Sequence, residues 1–114
     1  MERFLEGRTA LVTGSVQGIG LAIAKALASA GARIGVHGLA GKEESTAAVE
    51  VMLLNGAPDA RFFDADMRSP SAIDRMMAAV DAWGGPDILV NNAGIQHTVS
   101  LADATRPLWM TSSR

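Results

Sequence analysis

Short apolar runs alternate along this chain with segments of helical period. Residues 9–13, TALVT, are apolar and β-branched and lead into a glycine-rich turn, which predicts a first strand. Ile19, Ala22, Ile23, Ala26 and Leu27 then recur at helical spacing, and Gly31 stops the helix whose inward stripe they predict. RIGVH (33–37) reads as a second strand. Residues 42–54 read as a second helix with Ala47, Ala48, Val51, Met52 and Leu54 inward, closed by Asn55-Gly56. ARFFD (60–64) is a third strand. The next helix has the clearest start, with Ser69 as its cap and Pro70 at the first helical position, where a missing N–H costs nothing. Ile73, Met76, Met77 and Val80 form its apolar stripe, Gly84-Gly85-Pro86 breaks it, and DILV (87–90) is a fourth strand.

Strands this continuously apolar, alternating with helices, predict an α/β fold: a parallel sheet with helices on both faces. Right-handed crossovers and a glycine-rich first turn favour the strand order 3-2-1-4. No repeat, linker or low-complexity segment interrupts the pattern, so the 114 residues read as a single domain.

Composition narrows the function classes. Of all residues 48% are apolar and 19% charged, enough for a packed core. A net charge of −2 without a basic cluster argues against nucleic acid or an anionic membrane as partner. The absence of cysteine removes disulfides and thiolate metal sites. The start, MERFLEGRTALVTG, lacks a secretory pattern, and the apolar stretch 19–32 is short and carries Lys25, so a soluble, cytoplasmic protein is expected.

Two motifs carry chemistry. TGSVQGIG (13–20) lies where the first strand becomes the first helix. Gly14 permits the tight turn, Gly18 lets backbone approach a pyrophosphate, and Gly20 lets helix and strand pack closely, while the helix start offers free N–H groups to phosphate. The spacing is G-x-x-x-G-x-G, and a turn that simply needs glycines is the other reading. NNAG (91–94) follows the fourth strand at the carboxyl edge of the sheet, beside that turn, where ligands of such sheets bind.

With these two motifs on these elements, the sequence resembles the short-chain dehydrogenase/reductase family over about residues 7–109, corresponding to the first, Rossmann-like half of such an enzyme. It resembles most the 3-hydroxybutyrate dehydrogenases, through NNAGIQH (91–97) and ADM (65–67). The resemblance implies hydride transfer between a small 3-hydroxy or 3-oxo acid and NAD. It implies that Gly14, Ser15, Gln17, Gly18, Ile19 and Gly20 wrap the pyrophosphate and adjacent ribose, and that Asp66 and Met67 meet the adenine. Asn92, Ala93 and Gly94 would face the nicotinamide-side ribose, and Gln96 the substrate carboxylate. Asp66 also reads as a surface carboxylate capping the turn toward Ser69, and Gln96 as a solvated loop residue; His97 reads as a loop residue rather than a base. No metal ligand set is present.

NAD is preferred to NADP by elimination. The end of the second strand, where NAD enzymes commonly hold an acidic residue, falls at Gly38-Leu39; no arginine or lysine replaces it to receive a 2′-phosphate, the nearest, Lys42, being already in the next helix.

The family's catalytic pattern is missing. Its tyrosine acid/base, the lysine four residues later, a serine and a relay asparagine lie downstream of N-N-A-G. This sequence has no tyrosine, and its two lysines, Lys25 and Lys42, precede that motif. Only Ser100, Ser112 and Ser113 follow it, so no catalytic residue is assigned. LADATRPLW (101–109) still follows the family, whereas MTSSR (110–114) does not, and residues 98–114 are set apart as a divergent tail. The expectation is an incomplete dinucleotide-binding domain, truncated after about residue 109 by a frameshift or premature stop, or else a naturally short paralogue. As function it implies the cofactor-binding part of a dehydrogenase, inactive alone; a nucleotide-binding module without turnover and a non-functional fragment are the alternatives. A fourth strand without its neighbour also implies self-association.

Overall fold

The computed structural model of the protein describes residues 3–93. Among the described residues seven elements alternate: β1 (Thr9–Val12), α1 (Gly18–Ser29), β2 (Arg33–Gly38), α2 (Lys42–Leu54), β3 (Ala60–Asp64), α3 (Pro70–Trp83) and β4 (Ile88–Val90). The four strands are parallel and lie in the order β3-β2-β1-β4, as the alternation predicts. Gly94, Gln96 and the tail 98–114 lie outside the described residues.

Strand alternation divides the core in two. Ala10 and Val12 of β1 and Ile34 and Val36 of β2 face one side, where Ala24 and Ala28 of α1 and Ala48 and Met52 of α2 pack on them. Leu11 of β1 and Phe63 of β3 face the other side, against Met76 and Val80 of α3. Both faces of the sheet are therefore covered, which is why its central strands are apolar at consecutive positions.

α3 begins as expected: Ser69 Oγ accepts the Ala72 N–H at 3.2 Å, with Pro70 in the first turn and Gly84 ending the helix at φ 110°. The inward stripes of the other helices differ from the periodic reading. In α1 the fully packed face is Gly20, Ala24 and Ala28; Ile23 and Leu27 are half-buried, and Ala22, Ala26 and Ile19 (69%) are exposed. GIGLAIAKALAS is apolar almost all round, so period alone does not choose a face, and the close approach to the sheet selects the smallest residues. In α2, Ala48 and Met52 are buried while Ala47 is exposed and Leu54 is 85% exposed. Leu54 sits two positions beyond Met52, about 200° round the helix, and so points away from the sheet.

The amino edge of the sheet is fastened by polar contacts. Asp87 accepts the Thr9 N–H on Oδ2 at 2.8 Å and donates its own N–H to the Thr9 carbonyl at 2.7 Å, so β4 enters beside β1. Arg33 lies 4.1 Å from the centroid of the Trp83 ring and donates to the Trp83 carbonyl at 2.9 Å and to Thr9 Oγ1 at 3.1 Å, tying the end of α3 to β1 and β2.

Met52 is fully buried between α2 and the sheet. Met52→Ala is expected to lower the unfolding free energy by about 2–5 kcal/mol, by lost transfer energy plus a cavity. Leu54→Ala should change it by no more than about 0.5 kcal/mol. Urea denaturation of the two variants checks the assignment of the helix face, and equal losses would contradict it.

Candidate dinucleotide site

The carboxyl ends of β1, β2 and β3 open into a cleft of about 320 Å³. Gly14, Val16 and Gln17 line one wall, Gly38 and Leu39 the floor and outer end, and Ala65, Asp66, Met67 and Arg68 the opposite rim, with His37 and Ala93 between them.

The glycine-rich turn has the conformation that its sequence requires. Gly14 and Gly18 lie at φ 63° and 64°, in the left-handed region, and a Cβ on Gly18 would project into open space. A Cβ on Gly20 would overlap the Gly14 carbonyl oxygen and stand 2.6 Å from Asn92 Nδ2, so that position admits no side chain. The N-cap Gln17 makes no side-chain cap bond, and the N–H groups of Gly18, Ile19 and Gly20, in the first turn of α1, have no intrahelical acceptor. Those donors, the helix dipole and the open space over Gly18 suit an anionic phosphate. Gln17, Gly18 and Ile19 are exposed here.

Beneath this surface lies a buried polar frame. Ser15 is fully buried: its Oγ donates to the Val12 carbonyl at 2.7 Å and accepts the His37 N–H at 3.0 Å, while its N–H donates to the His37 carbonyl at 2.8 Å. Asn92, 1% exposed, donates Nδ2 to the Gly14 carbonyl at 3.0 Å. Ser15 Oγ and Asn92 Nδ2, on two residues expected from sequence to contact the cofactor, thus brace the turn from below. Thr13 joins the same frame. Its Oγ1 accepts the Ala93 N–H at 3.0 Å and lies 3.3 Å from both the Val90 carbonyl and Asn91 Oδ1, to one of which it donates. The two motifs are therefore one hydrogen-bonded unit.

His37 holds the centre. Its ring is 3% exposed; Nδ1 accepts the Gly14 N–H at 2.8 Å, so Nε2 carries the proton and donates to the Ala65 carbonyl at 2.9 Å. Burial pushes the imidazole below its ordinary pKa, and the Ala65 carbonyl and the Asp64 charge only partly oppose that. Read from sequence as the last residue of a strand, His37 has as its signal a polar side chain near the carboxyl end of a β2 that is apolar from Ile34 to Val36.

Asp66 combines both roles read for it. Its carbonyl accepts the Ser69 N–H at 2.9 Å and its Oδ1 accepts the Arg68 N–H at 2.9 Å, while its carboxylate lines the cleft. The Arg68 guanidinium grips that carboxylate at 3.1 and 3.0 Å, which raises the pKa of Arg68. Arg68 thus corrects the sequence reading: the cation on this cleft wall is Arg68, which lies near Asp66 in sequence and reaches the cleft from the loop after β3, and Lys42 is not among the lining residues. No group of three or more His, Cys, Asp or Glu side chains that could hold a metal occurs among the described residues.

A crossover sheet that presents a glycine-rich helix start to its carboxyl edge defines a dinucleotide-binding class of α/β protein. The chain belongs to the short chain dehydrogenase family, which it matches over residues 8–113. It is 45% identical over 106 residues to D-beta-hydroxybutyrate dehydrogenase of Cupriavidus necator, covering 92% of this chain and 40% of that one. Among solved structures, it resembles the NADH-dependent reductase A1-R′ complexed with NAD (TM-score 0.71, 33% identity, 80% of this chain and 38% of the other). It also resembles a 3-oxoacyl (acyl-carrier-protein) reductase from Agrobacterium tumefaciens C58 with NADP bound (TM-score 0.67, 38% identity, 75% and 32%). The chain spans about 40% of the length of the hydroxybutyrate dehydrogenase it matches.

Gly20 and Gly18 separate two demands of the turn. Gly18→Ala is expected to cost about 1–2 kcal/mol, the strain of a left-handed alanine in open space. Gly20→Ala should cost more, since the group in its way is backbone and cannot rotate aside. Urea midpoints of both variants test this, and a milder effect at Gly20 would contradict the close approach.

Proposed function

We propose that this chain is the cofactor-binding part of an NAD-dependent short-chain dehydrogenase acting on 3-hydroxybutyrate or a similar small 3-hydroxy acid, and that by itself it binds NAD without turnover. The observation that carries the reading is the glycine-rich turn, open over Gly18 and braced by Asn92 and Thr13 to the N-N-A-G segment. In this reading the N–H groups of Gly18, Ile19 and Gly20 meet the pyrophosphate, and Gln17 and Gly14 line its approach. Asp66 and Met67 meet the adenine, Ala93 and Gly94 the nicotinamide-side ribose, and Gln96 the substrate carboxylate. The similarity to the hydroxybutyrate dehydrogenases supports the substrate. The absence of tyrosine, with Lys25 and Lys42 both ahead of N-N-A-G, supports the lack of turnover.

The preference for NAD rests on the outer end of the cleft. A Cβ on Gly38 would meet Val16 Cγ1 and Cγ2 at 3.1 Å, a contact that requires Val16 to give way, and neither Gly38 nor Leu39 offers a positive charge to a 2′-phosphate. Arg68 stands beside the Asp66 carboxylate, whose negative charge disfavours a 2′-phosphate there. Calorimetry on the 114-residue chain should give measurable binding of NAD, weaker binding of NADP, and loss of both in Gly18→Val. Equal affinity of wild type and Gly18→Val would rule out this site. No oxidation of 3-hydroxybutyrate above a no-enzyme blank is expected, and clear turnover would overturn the binding-only role.

Self-association through β4 belongs to the same proposal. Leu89 on this edge strand is 55% exposed among the described residues, and an apolar strand edge is a template for another chain. Light scattering should report dimers or larger species; a monodisperse monomer would contradict it.

A further inference from the structure

His37 bonds both walls of the cleft with one ring. The Gly14 N–H on Nδ1 belongs to the phosphate-facing turn after β1, and the Ala65 carbonyl on Nε2 belongs to the segment that leads into Asp66 and Met67. Its backbone N–H and carbonyl are held in turn by Ser15. Both ring bonds need one tautomer. With Nδ1 protonated, two N–H groups would face each other across a 2.8 Å gap, and Gly14 would lose its acceptor in a half-buried site.

We propose that His37 is a positioning residue of the dinucleotide site, whose neutral imidazole sets the spacing between the glycine-rich turn and the Asp66–Met67 rim, so that taking up a proton at Nδ1 loosens the cleft and weakens nucleotide binding. The proposal rests on the dinucleotide reading above. Few charges act on the ring. Asp64, closing β3, favours the protonated form, and the loop after β3 brings Asp66 and Arg68, which pair with each other. The turn and helix start at 13–20 and residues 91–93 after β4 contain no titratable side chain.

The sign follows from burial, which holds the ring below its ordinary value of 6.5. Above that value His37 is neutral in every state and binding does not depend on it. As the pH falls below it, the unfolded or loosened chain takes up a proton more readily than the closed site, so stability and affinity both drop.

Calorimetry with NAD as the probe, on the 114-residue chain from about pH 8 to about pH 5, tests this across the imidazole range. Affinity is expected to fall about tenfold toward the acid end, the size of one buried hydrogen bond lost. His37→Asn places Oδ1 where Nδ1 stands, keeping an acceptor for Gly14 without a titrating group but giving up the bond to the Ala65 carbonyl; it should bind more weakly than wild type at pH 8 and give a flat profile. His37→Leu, with no acceptor, should bind about tenfold more weakly throughout. A profile of His37→Asn parallel to wild type, or wild-type binding by His37→Leu, would overturn the proposal. Nitrogen-15 spectra of the histidines in the ligand-free chain, assigned against His37→Asn, judge it independently of binding. The Nε2–H tautomer with titration below the ordinary value is expected, and an Nδ1–H tautomer would overturn it. Failure of NAD to bind at any pH would refute the dinucleotide reading and leave the tautomer to decide the role of His37.

Discussion

The whole carboxyl edge depends on how closely the first turn of α1 lies against the end of β1. Gly20 sits over the Gly14 carbonyl with no room for a single carbon atom, and the same carbonyl accepts Asn92 Nδ2 at 3.0 Å. One peptide group thus fixes the helix start, the strand end and the loop after β4. Small residues continue the contact along α1 through Ala24 and Ala28, so the helix can lie flat on Ala10, Val12, Ile34 and Val36. The direction in which the helix dipole points is a consequence of packing, settled before any ligand arrives.

Hydrogen bonding then spreads that constraint across the edge. Thr13, Ser15, His37 and Asn92 are all buried, and no buried side-chain nitrogen or oxygen among the described residues lacks a partner. A buried polar group left unpaired costs more than a paired one contributes, so the four must keep their places together. Asp87 and Arg33 do the corresponding work at the amino edge, where β4 and the end of α3 are joined to β1. Between them the sheet is held by its parallel backbone ladders and by apolar contact with the helices on both faces.

Element order, strand order and the two motifs were legible because each is a local signal: β-branched runs, a Ser-Pro helix start, glycines at fixed offsets. The face of α1 was not. A helix with Ile19, Leu21, Ile23 and Leu27 spread round its circumference has no polar side to define an inward one, and the deciding fact is the distance to the sheet. Ser15 and Asn92 lie within the family's cofactor motifs, but sequence position does not say whether a polar side chain faces ligand or backbone. His37 and Arg68 were missed for a further reason. Their partners, Gly14 and Ala65 for the one and the shared cleft with Gly38 and Leu39 for the other, come together only through the crossovers.

The division between frame and surface bears on how such a site can recognise a nucleotide. Thr13, Ser15 and His37 spend their side-chain hydrogen bonds on the protein itself, so in the dinucleotide reading proposed above recognition would fall to backbone N–H groups at the helix start and to the rim of Gln17, Leu39, Asp66, Met67 and Arg68. Backbone donors read phosphate, a group common to every dinucleotide, and carry little information about the rest of the ligand. Discrimination is left to the rim, where the Asp66–Arg68 pair is solvent-facing, with Arg68 80% exposed, and therefore held only loosely. In that reading the burden of cofactor choice would lie on residues at the ends of β2 and β3 and not on the glycines.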